Sequence, residues 1–169
     1  MVDGVLPTTA PPASGGVEGT HWIASEATKL CWTINGNTTR SGESIVPYPC
    51  AGFSSEIFNF VDHRDGYYSV QTLNGAEGAA QLCLNIARAA TSPGDGKAAG
   101  GSGNMIQWNC AGRPPADNEL FKIVDAGDGR VRFQVKKSGL CLEDPGRGGV
   151  IRQNVCSASN RNQEFSLVE

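Results

Sequence analysis

The chain has 169 residues, a length typical of one domain with its own hydrophobic core. Its net charge is −3 and it has no basic cluster, so nothing indicates a nucleic-acid surface. No apolar run approaches the ~18 residues of a membrane-spanning helix, so membrane insertion is not expected. The 22 glycines and 9 prolines occur throughout the chain and favour short strands and turns over helices. The composition therefore predicts an all-β protein.

The first 17 residues differ in composition from the rest of the chain. They are rich in Thr, Pro, Ser and Gly, which is typical of a linker. They have neither the basic start nor the apolar segment of a signal peptide, so Met1 is expected to follow a removed signal or an upstream segment. We predict a disordered tail at residues 1–17 and a folded domain at residues 18–169.

A short segment of alternating hydrophobic residues recurs along the chain. Residues 58–66 and 121–129 share the pattern F-x-[FI]-V-D-x-x-D-G, and a third copy begins at Phe165. Each full copy predicts a strand that runs into an Asp-Gly hairpin turn. A Leu-Cys pair also occurs three times, at residues 30, 82 and 140. The chain therefore consists of three copies of one unit.

Each unit contains two cysteines. Six cysteines allow 15 pairings, and an even number without C-x-x-C favours disulfides in an oxidising compartment over a zinc site. Because the cysteines recur at similar places in each unit, the natural pairing is within units. The predicted bonds are Cys31–Cys50, Cys83–Cys110 and Cys141–Cys156. They predict a secreted protein, extracellular or at the cell surface.

About four strands are expected in each unit, which makes about twelve short strands, enough to close a barrel. Phe58, Phe121 and Phe165 recur at equivalent places and are predicted to lie in the core. The units differ in length mainly at residues 89–103, whose Ala, Gly, Ser and Pro content predicts a flexible surface insertion.

The repeated motifs resemble those of the ricin B-type lectins. The clearest copy runs from Cys156 to Asn162-Gln163-Glu164-Phe165, which is similar to that family's C-x(n)-N-Q-x-W, with Phe in place of Trp. The resemblance covers about residues 18–169. It implies a β-trefoil with three pseudo-symmetric repeats, each with one disulfide, and subsites for galactose or other glycans. The implied partners are glycans or glycoconjugates.

Sugar binding needs an aromatic ring against the C–H face of the pyranose and polar groups that hold its hydroxyls. The family takes these from a residue two after the first cysteine, an aromatic two before the second, and the asparagine of the last motif. The second unit has candidates at all three positions, with polar neighbours: Asn85, Trp108, Asn118, Glu119, Gln107 and Asn104. Asn85 stands where the family usually has Asp, which weakens the hold on the sugar. Trp108 could equally be a core or rim residue, and Asn118 could simply bond the turn backbone.

The other two units are less complete. The first has Tyr48 as an aromatic platform, but Thr33 and Ser55 are short for a two-point hold on a sugar. The third has Asn162 and Gln163, yet Asn154 occupies the platform position. We therefore rank the second unit first as a ligand site, the first unit next and the third last.

Nothing in the sequence favours an enzyme. The two histidines lie at non-equivalent places, no nucleophile motif is present, and adjacent strand residues such as Glu143 and Asp144 point to opposite faces. No cofactor and no metal site are expected.

Two functions remain open. One is a secreted glycan-binding module, free or attached to another secreted protein. The alternative is a protein-binding or receptor-binding subunit of a larger secreted assembly, such as a multi-component toxin, with degenerate sugar sites.

Overall fold

The computed structural model describes residues 17–73, 81–97, 100–110 and 115–169. Over these ranges it has twelve strands: β1 (Gly19–Ser25), β2 (Cys31–Ile34), β3 (Ile45–Tyr48), β4 (Phe58–Asp62), β5 (Tyr68–Thr72), β6 (Leu82–Ile86), β7 (Met105–Asn109), β8 (Phe121–Gly127), β9 (Arg130–Val135), β10 (Cys141–Glu143), β11 (Arg152–Asn154) and β12 (Phe165–Val168). Five short 3₁₀ turns accompany them: Asn35–Asn37, Ser54–Glu56, Ala87–Ala89, Asp117–Glu119 and Arg161–Gln163. Within the described ranges no helix is long and apolar enough to cross a membrane. The prediction of an all-β chain of about twelve strands is confirmed.

Six of the strands close into a ring. Strand β1 pairs with β4, β4 with β5, β5 with β8, β8 with β9, β9 with β12, and β12 with β1, all antiparallel. The remaining strands form three hairpins, β2–β3, β6–β7 and β10–β11, one in each repeat. A closed six-stranded barrel with three such hairpins is the β-trefoil arrangement that the sequence resemblance implies.

The core lies inside this ring and is built from the repeated phenylalanines. Phe58, Phe121 and Phe165 are fully buried, as predicted. Trp32 of the first repeat reaches across to the third, where its ring centroid lies 4.9 Å from that of Phe133 and 5.0 Å from that of Phe165. Since these contacts join repeats that are distant along the chain, the core holds the three units together.

The three disulfides join the cysteines that the repeat pairs. Cys31 bonds to Cys50, Cys83 to Cys110 and Cys141 to Cys156, with Cα–Cα distances of 5.1, 5.0 and 4.9 Å. Each bond links the first strand of a hairpin to the chain just after its second strand. The predicted pairing is confirmed, and no cysteine is left as a free thiol.

The insertion at residues 89–103 is anchored rather than loose over its described part. Gln153 of β11 donates from its side-chain amide to the backbone oxygens of Ala90 and Ser92, at 2.8 and 2.9 Å. Gly94 donates from its backbone nitrogen to the Gln153 oxygen at 3.0 Å, and a side chain at Gly94 would collide with Asn104. Glycine therefore allows the close approach that packs this segment against the third repeat. The prediction of a flexible insertion is corrected for the described part of this segment, which is held to the third repeat by hydrogen bonds.

The predicted tail falls almost entirely on residues 1–16, which lie outside the described residues. Val17 is described and is buried in the core. The Nε2 atom of His21 lies 2.8 Å from the backbone oxygen of Val17. The disordered tail remains a prediction, and the folded domain begins no later than Val17.

Candidate functional site

The register of the hairpins places the three platform positions at equivalent points. The residue directly opposite the first cysteine of each repeat is Tyr48 in β3, Trp108 in β7 and Asn154 in β11. Tyr48 is 45% exposed and Trp108 is 49% exposed, which is unusual for large aromatic side chains. The two rings are therefore candidate platforms on the surface, and Trp108 is not a core residue.

Trp108 forms part of the wall of a cavity of about 670 Å³ in the second repeat. Asn85 of β6, Ile106 of β7 and Asn118 of the turn before β8 line the same cavity. Gly42, from the first repeat, lies behind the indole, since a Cβ added to it would be 3.5 Å from the ring atom Cζ3. Small-molecule sites commonly have volumes of about 300–1,000 Å³, so this cavity can hold a sugar residue.

Asn85 and Asn118 form a hydrogen-bonded pair in the wall of this cavity. The Asn118 Nδ2 group donates to the Asn85 Oδ1 atom and to the backbone oxygen of Ile86, each at 3.0 Å. These bonds orient both amides, because only an NH₂ group can donate and only an oxygen can accept. The Asn85 Nδ2 group and the Asn118 Oδ1 atom have no partner among the described residues. The pair therefore offers one donor and one acceptor in the wall of the cavity.

Glu119 and Gln163 occupy a position that supports the neighbouring loop in every repeat. Glu56, Glu119 and Gln163 are all buried. The Glu56 Oε1 atom accepts from three consecutive backbone N–H groups of the preceding loop. Glu119 Oε1 accepts from the Ala116 nitrogen at 3.3 Å, and Gln163 Oε1 from the Ser157 nitrogen at 2.9 Å. Glu119 also lines the cavity, but it accepts a backbone hydrogen bond from the preceding loop, as Glu56 and Gln163 do, and so it helps to hold that loop.

Gln107 points away from the cavity, although the sequence placed it among the candidate ligands. It is fully buried, and its amide donates to the backbone oxygens of Thr38 and Arg40 at 3.0 and 2.7 Å. It holds a first-repeat loop against the second repeat, as Gln153 holds the insertion against the third. Asn104 is also fully buried, and its Oδ1 atom accepts from the Gly96 nitrogen at 2.9 Å. Both residues shape the site indirectly.

The platform of the first repeat is covered from outside that repeat. The guanidinium carbon of Arg147 lies 5.5 Å from the centroid of the Tyr48 ring. The Thr33 hydroxyl donates to Glu56 Oε2 at 3.2 Å, and the Ser55 hydroxyl bonds to the side chain of Asn37. The short polar groups of this repeat are therefore committed to protein partners.

The third repeat is closed by its own side chains. Burial by itself would raise the pKa of Glu143, but hydrogen bonds from Arg152 and Asn154 and the Arg152 charge hold that pKa below its ordinary value of 4.5. Asn160 donates to Glu143 Oε1 at 2.7 Å, and Gln163 donates to the same atom at 3.3 Å. This repeat has no aromatic ring at the platform position, and its Glu143 carboxylate is already bonded to protein groups.

Acid is expected to destabilise the protein through Glu143. The pKa is lower in the folded than in the unfolded state, so the contribution is full above about pH 5 and is lost as the pH falls through the folded-state pKa. We expect the melting temperature of the native protein to fall more steeply between about pH 6 and about pH 3 than that of Glu143→Gln. Circular dichroism measures this, with the exposed Glu18→Gln as the control. The same pH slope in Glu143→Gln and the native protein would contradict the assignment.

Several residues of the second-repeat cavity were missed from sequence, among them Gly42 and Arg88. Gly42 belongs to the first repeat, so no motif of the second repeat could predict its place in this cavity. Arg88 has φ of 61°, a backbone conformation rare outside glycine, which sets its side chain at the cavity rim. Among the described residues, no group of three or more His, Cys, Asp or Glu side chains could hold a metal ion.

Asn162 was predicted together with Gln163 as a third-repeat ligand. Its Nδ2 group donates to the backbone oxygen of Asp144 at 2.9 Å, the same bond that Asn118 makes to Ile86. The structure thus brings Asn85, Trp108 and Asn118 to one cavity. It places Gln107 and Gln163 where they hold loops, whereas Asn162 makes the same bond as Asn118 beside a platform position that has no ring.

No protein-family model matches the chain, and no curated protein matches it. Solved structures do match. The designed threefold-symmetric protein ThreeFoil is 23% identical with a TM-score of 0.75, over 90% of this chain and 99% of ThreeFoil. A mosquitocidal holotoxin is 13% identical with a TM-score of 0.70, over 89% of this chain and 17% of the toxin chain.

A lectin from Polyporus squamosus, solved with Neu5Acα2-6Galβ1-4GlcNAc, is 15% identical with a TM-score of 0.66. The match covers 89% of this chain and 48% of the lectin. At these identities the likeness establishes the fold. The chain is a β-trefoil protein, and its structural neighbours include a lectin and part of a toxin.

Proposed function

We propose that this protein is a secreted, lectin-like carbohydrate-binding module that recognises galactose-type or related glycans and has no catalytic activity of its own. The observation that carries the proposal is the second-repeat cavity, where the half-exposed Trp108 ring and the Asn85–Asn118 pair line one space. The described cysteines are all in disulfides, which supports an oxidising, extracellular setting.

The cavity suits a pyranose in two respects. The C3, C4 and C5 hydrogens of galactose lie on one face because the 4-hydroxyl is axial, and such a face packs on an indole. Two vicinal hydroxyls each donate and accept, so they complement the free Asn85 Nδ2 donor and the free Asn118 Oδ1 acceptor. The Polyporus lectin of the same fold, solved with a galactose-containing epitope, supports a glycan as the ligand.

A single open subsite of this kind binds weakly. A dissociation constant near 1 mM corresponds to only about 4 kcal/mol. Useful avidity then comes from several copies on one surface or from attachment to another secreted protein. The match to a small part of a larger toxin chain is consistent with the second arrangement.

The alternative is a protein-binding or receptor-binding subunit of a larger secreted assembly. It is favoured by the closed third repeat, where Glu143 is bonded to Arg152 and Asn154, and by the covered Tyr48 ring of the first. The holotoxin with this fold supports the same alternative. A screen of the whole chain against a broad glycan array separates the two functions. If the protein binds none of the glycans, the protein-binding function is favoured.

Substitution of Asn118 by alanine is expected to weaken glycan binding by about tenfold or more, because it removes both the free acceptor and the bond that orients Asn85. The matched control is Asn162→Ala, which loses the equivalent bond to backbone but has no platform beside it. Titration calorimetry with a galactoside found on the array measures both. Equal losses in the two variants would mean that Asn118 acts only on the fold.

A further inference from the structure

A second cavity, of about 350 Å³, lies where loops of all three repeats meet. The first repeat contributes Ser44 and Tyr48, the second contributes Lys97, and the third contributes Arg147. The cavity shares no lining residue with the Trp108 cavity. It is therefore a separate space, built between repeats rather than within one.

The cavity carries positive charge that the protein does not neutralise. Neither Lys97 nor Arg147 forms an ion pair with an acidic side chain among the described residues. Glu43, which adjoins Ser44 along the chain, is already paired with Arg40 at 3.1 Å and accepts from Asn35. Two unpaired cations beside a cavity in a chain of net charge −3 favour an anionic ligand.

The contact between Arg147 and the Tyr48 ring disfavours the binding of neutral sugars in this cavity. Arg147 lies over the ring, so a neutral sugar that stacked there would displace the guanidinium and lose the cation–π contact. A sugar that carries its own anion can instead pair with Arg147 while it packs at the edge of the ring. Such a charge-assisted hydrogen bond is stronger than a neutral one.

One further feature leaves this cavity open to a ligand. In the second and third repeats a glutamine at the same place in the hairpin holds the adjoining loop, but the first repeat has Pro47 there, which has no side-chain amide.

We infer that this inter-repeat cavity is a second ligand site that takes the anionic group of an acidic sugar, a carboxylate or a sulfate ester, between Arg147 and Lys97 and beside Tyr48. The inference rests on the proposed glycan-binding function for the class of ligand, but on different residues. It makes the protein a binder of acidic glycans, with a charged subsite in addition to the Trp108 subsite.

The test is a titration of the whole chain with galactose, galacturonic acid and galactose 6-sulfate, followed by ligand-detected NMR. The native protein is expected to bind at least one acidic sugar more tightly than galactose, and added salt is expected to weaken that binding. Arg147→Gln and Lys97→Gln should each weaken it by about tenfold or more and leave galactose binding unchanged. The control Lys122→Gln, at an exposed strand position, should change neither.

Trp108→Ala separates the two proposals. Binding of the acidic sugar should survive in that variant, whereas galactose binding should not. The inference is overturned if acidic sugars bind no better than galactose, or if Arg147→Gln and Lys122→Gln behave alike. Galactose binding that depends on Trp108 would in that case leave the proposed function standing. Acidic-sugar binding that depends on Arg147, without any galactose binding, would overturn the Trp108 site alone.

Discussion

Replacing Trp108 with alanine is expected to abolish measurable binding of galactose-type glycans while the protein stays folded. The indole is the only aromatic ring that the described residues place in the wall of the second-repeat cavity, and it is 49% exposed, so little of the core depends on it. Loss of the stacked ring is expected to cost about 1–3 kcal/mol of binding. A site that starts near millimolar has about 4 kcal/mol in total, so binding falls below detection.

The measurement is titration of a galactoside followed by calorimetry. Phe53→Ala is the matched control, because Phe53 is also 49% exposed but lies outside the cavity. It should bind as the native protein does. Unchanged binding in Trp108→Ala would move the neutral ligand away from the second repeat and leave the cavity without a role.

Replacing Trp32 with alanine is expected to have the opposite profile, a large loss of stability. Trp32 is fully buried and packs against Phe133 and Phe165 of the third repeat. Removing a buried tryptophan costs about 3–5 kcal/mol, from lost apolar burial and the cavity left behind. Against a total stability of about 5–15 kcal/mol, this is a large fraction.

Guanidinium unfolding with the disulfides intact measures this loss as a lower midpoint. Trp108→Ala serves as the control here, because the same substitution at a half-exposed position should shift stability by much less. A shift in Trp32→Ala no larger than that in Trp108→Ala would mean that the repeats are not joined through this tryptophan.

The repeats, the disulfide pairing and the fold could be predicted from the sequence because each depends on local pattern. Strand alternation and the Asp-Gly turns act over a few residues, each disulfide spans 27 residues or fewer, and Cys and Phe recur from one unit to the next. Once three equal units are recognised, a hydrophobic face on each can be buried only against the others, and a closed barrel leaves no strand edge exposed. The platform positions Tyr48, Trp108 and Asn154 follow from the same local register.

The roles of individual polar residues were decided by the tertiary structure. Three polar residues are of types that commonly bind sugars, yet each is buried and bonded to backbone groups: Gln107, Asn104 and Gln163. The partner of Gln107 is a loop nearly 70 residues away along the chain. Residue type shows what a side chain can bond to, and only the packing of distant segments shows which partner it has.

The sequence by itself therefore determined the all-β class, the threefold repeat and the disulfides. Only the tertiary structure decided that Arg147 covers Tyr48 and that Lys97 and Arg147 flank a second cavity. The physical reason is that each of these contacts crosses from a loop to a different segment of the barrel. Their partners are set by how the repeats pack around the core, which no local pattern encodes.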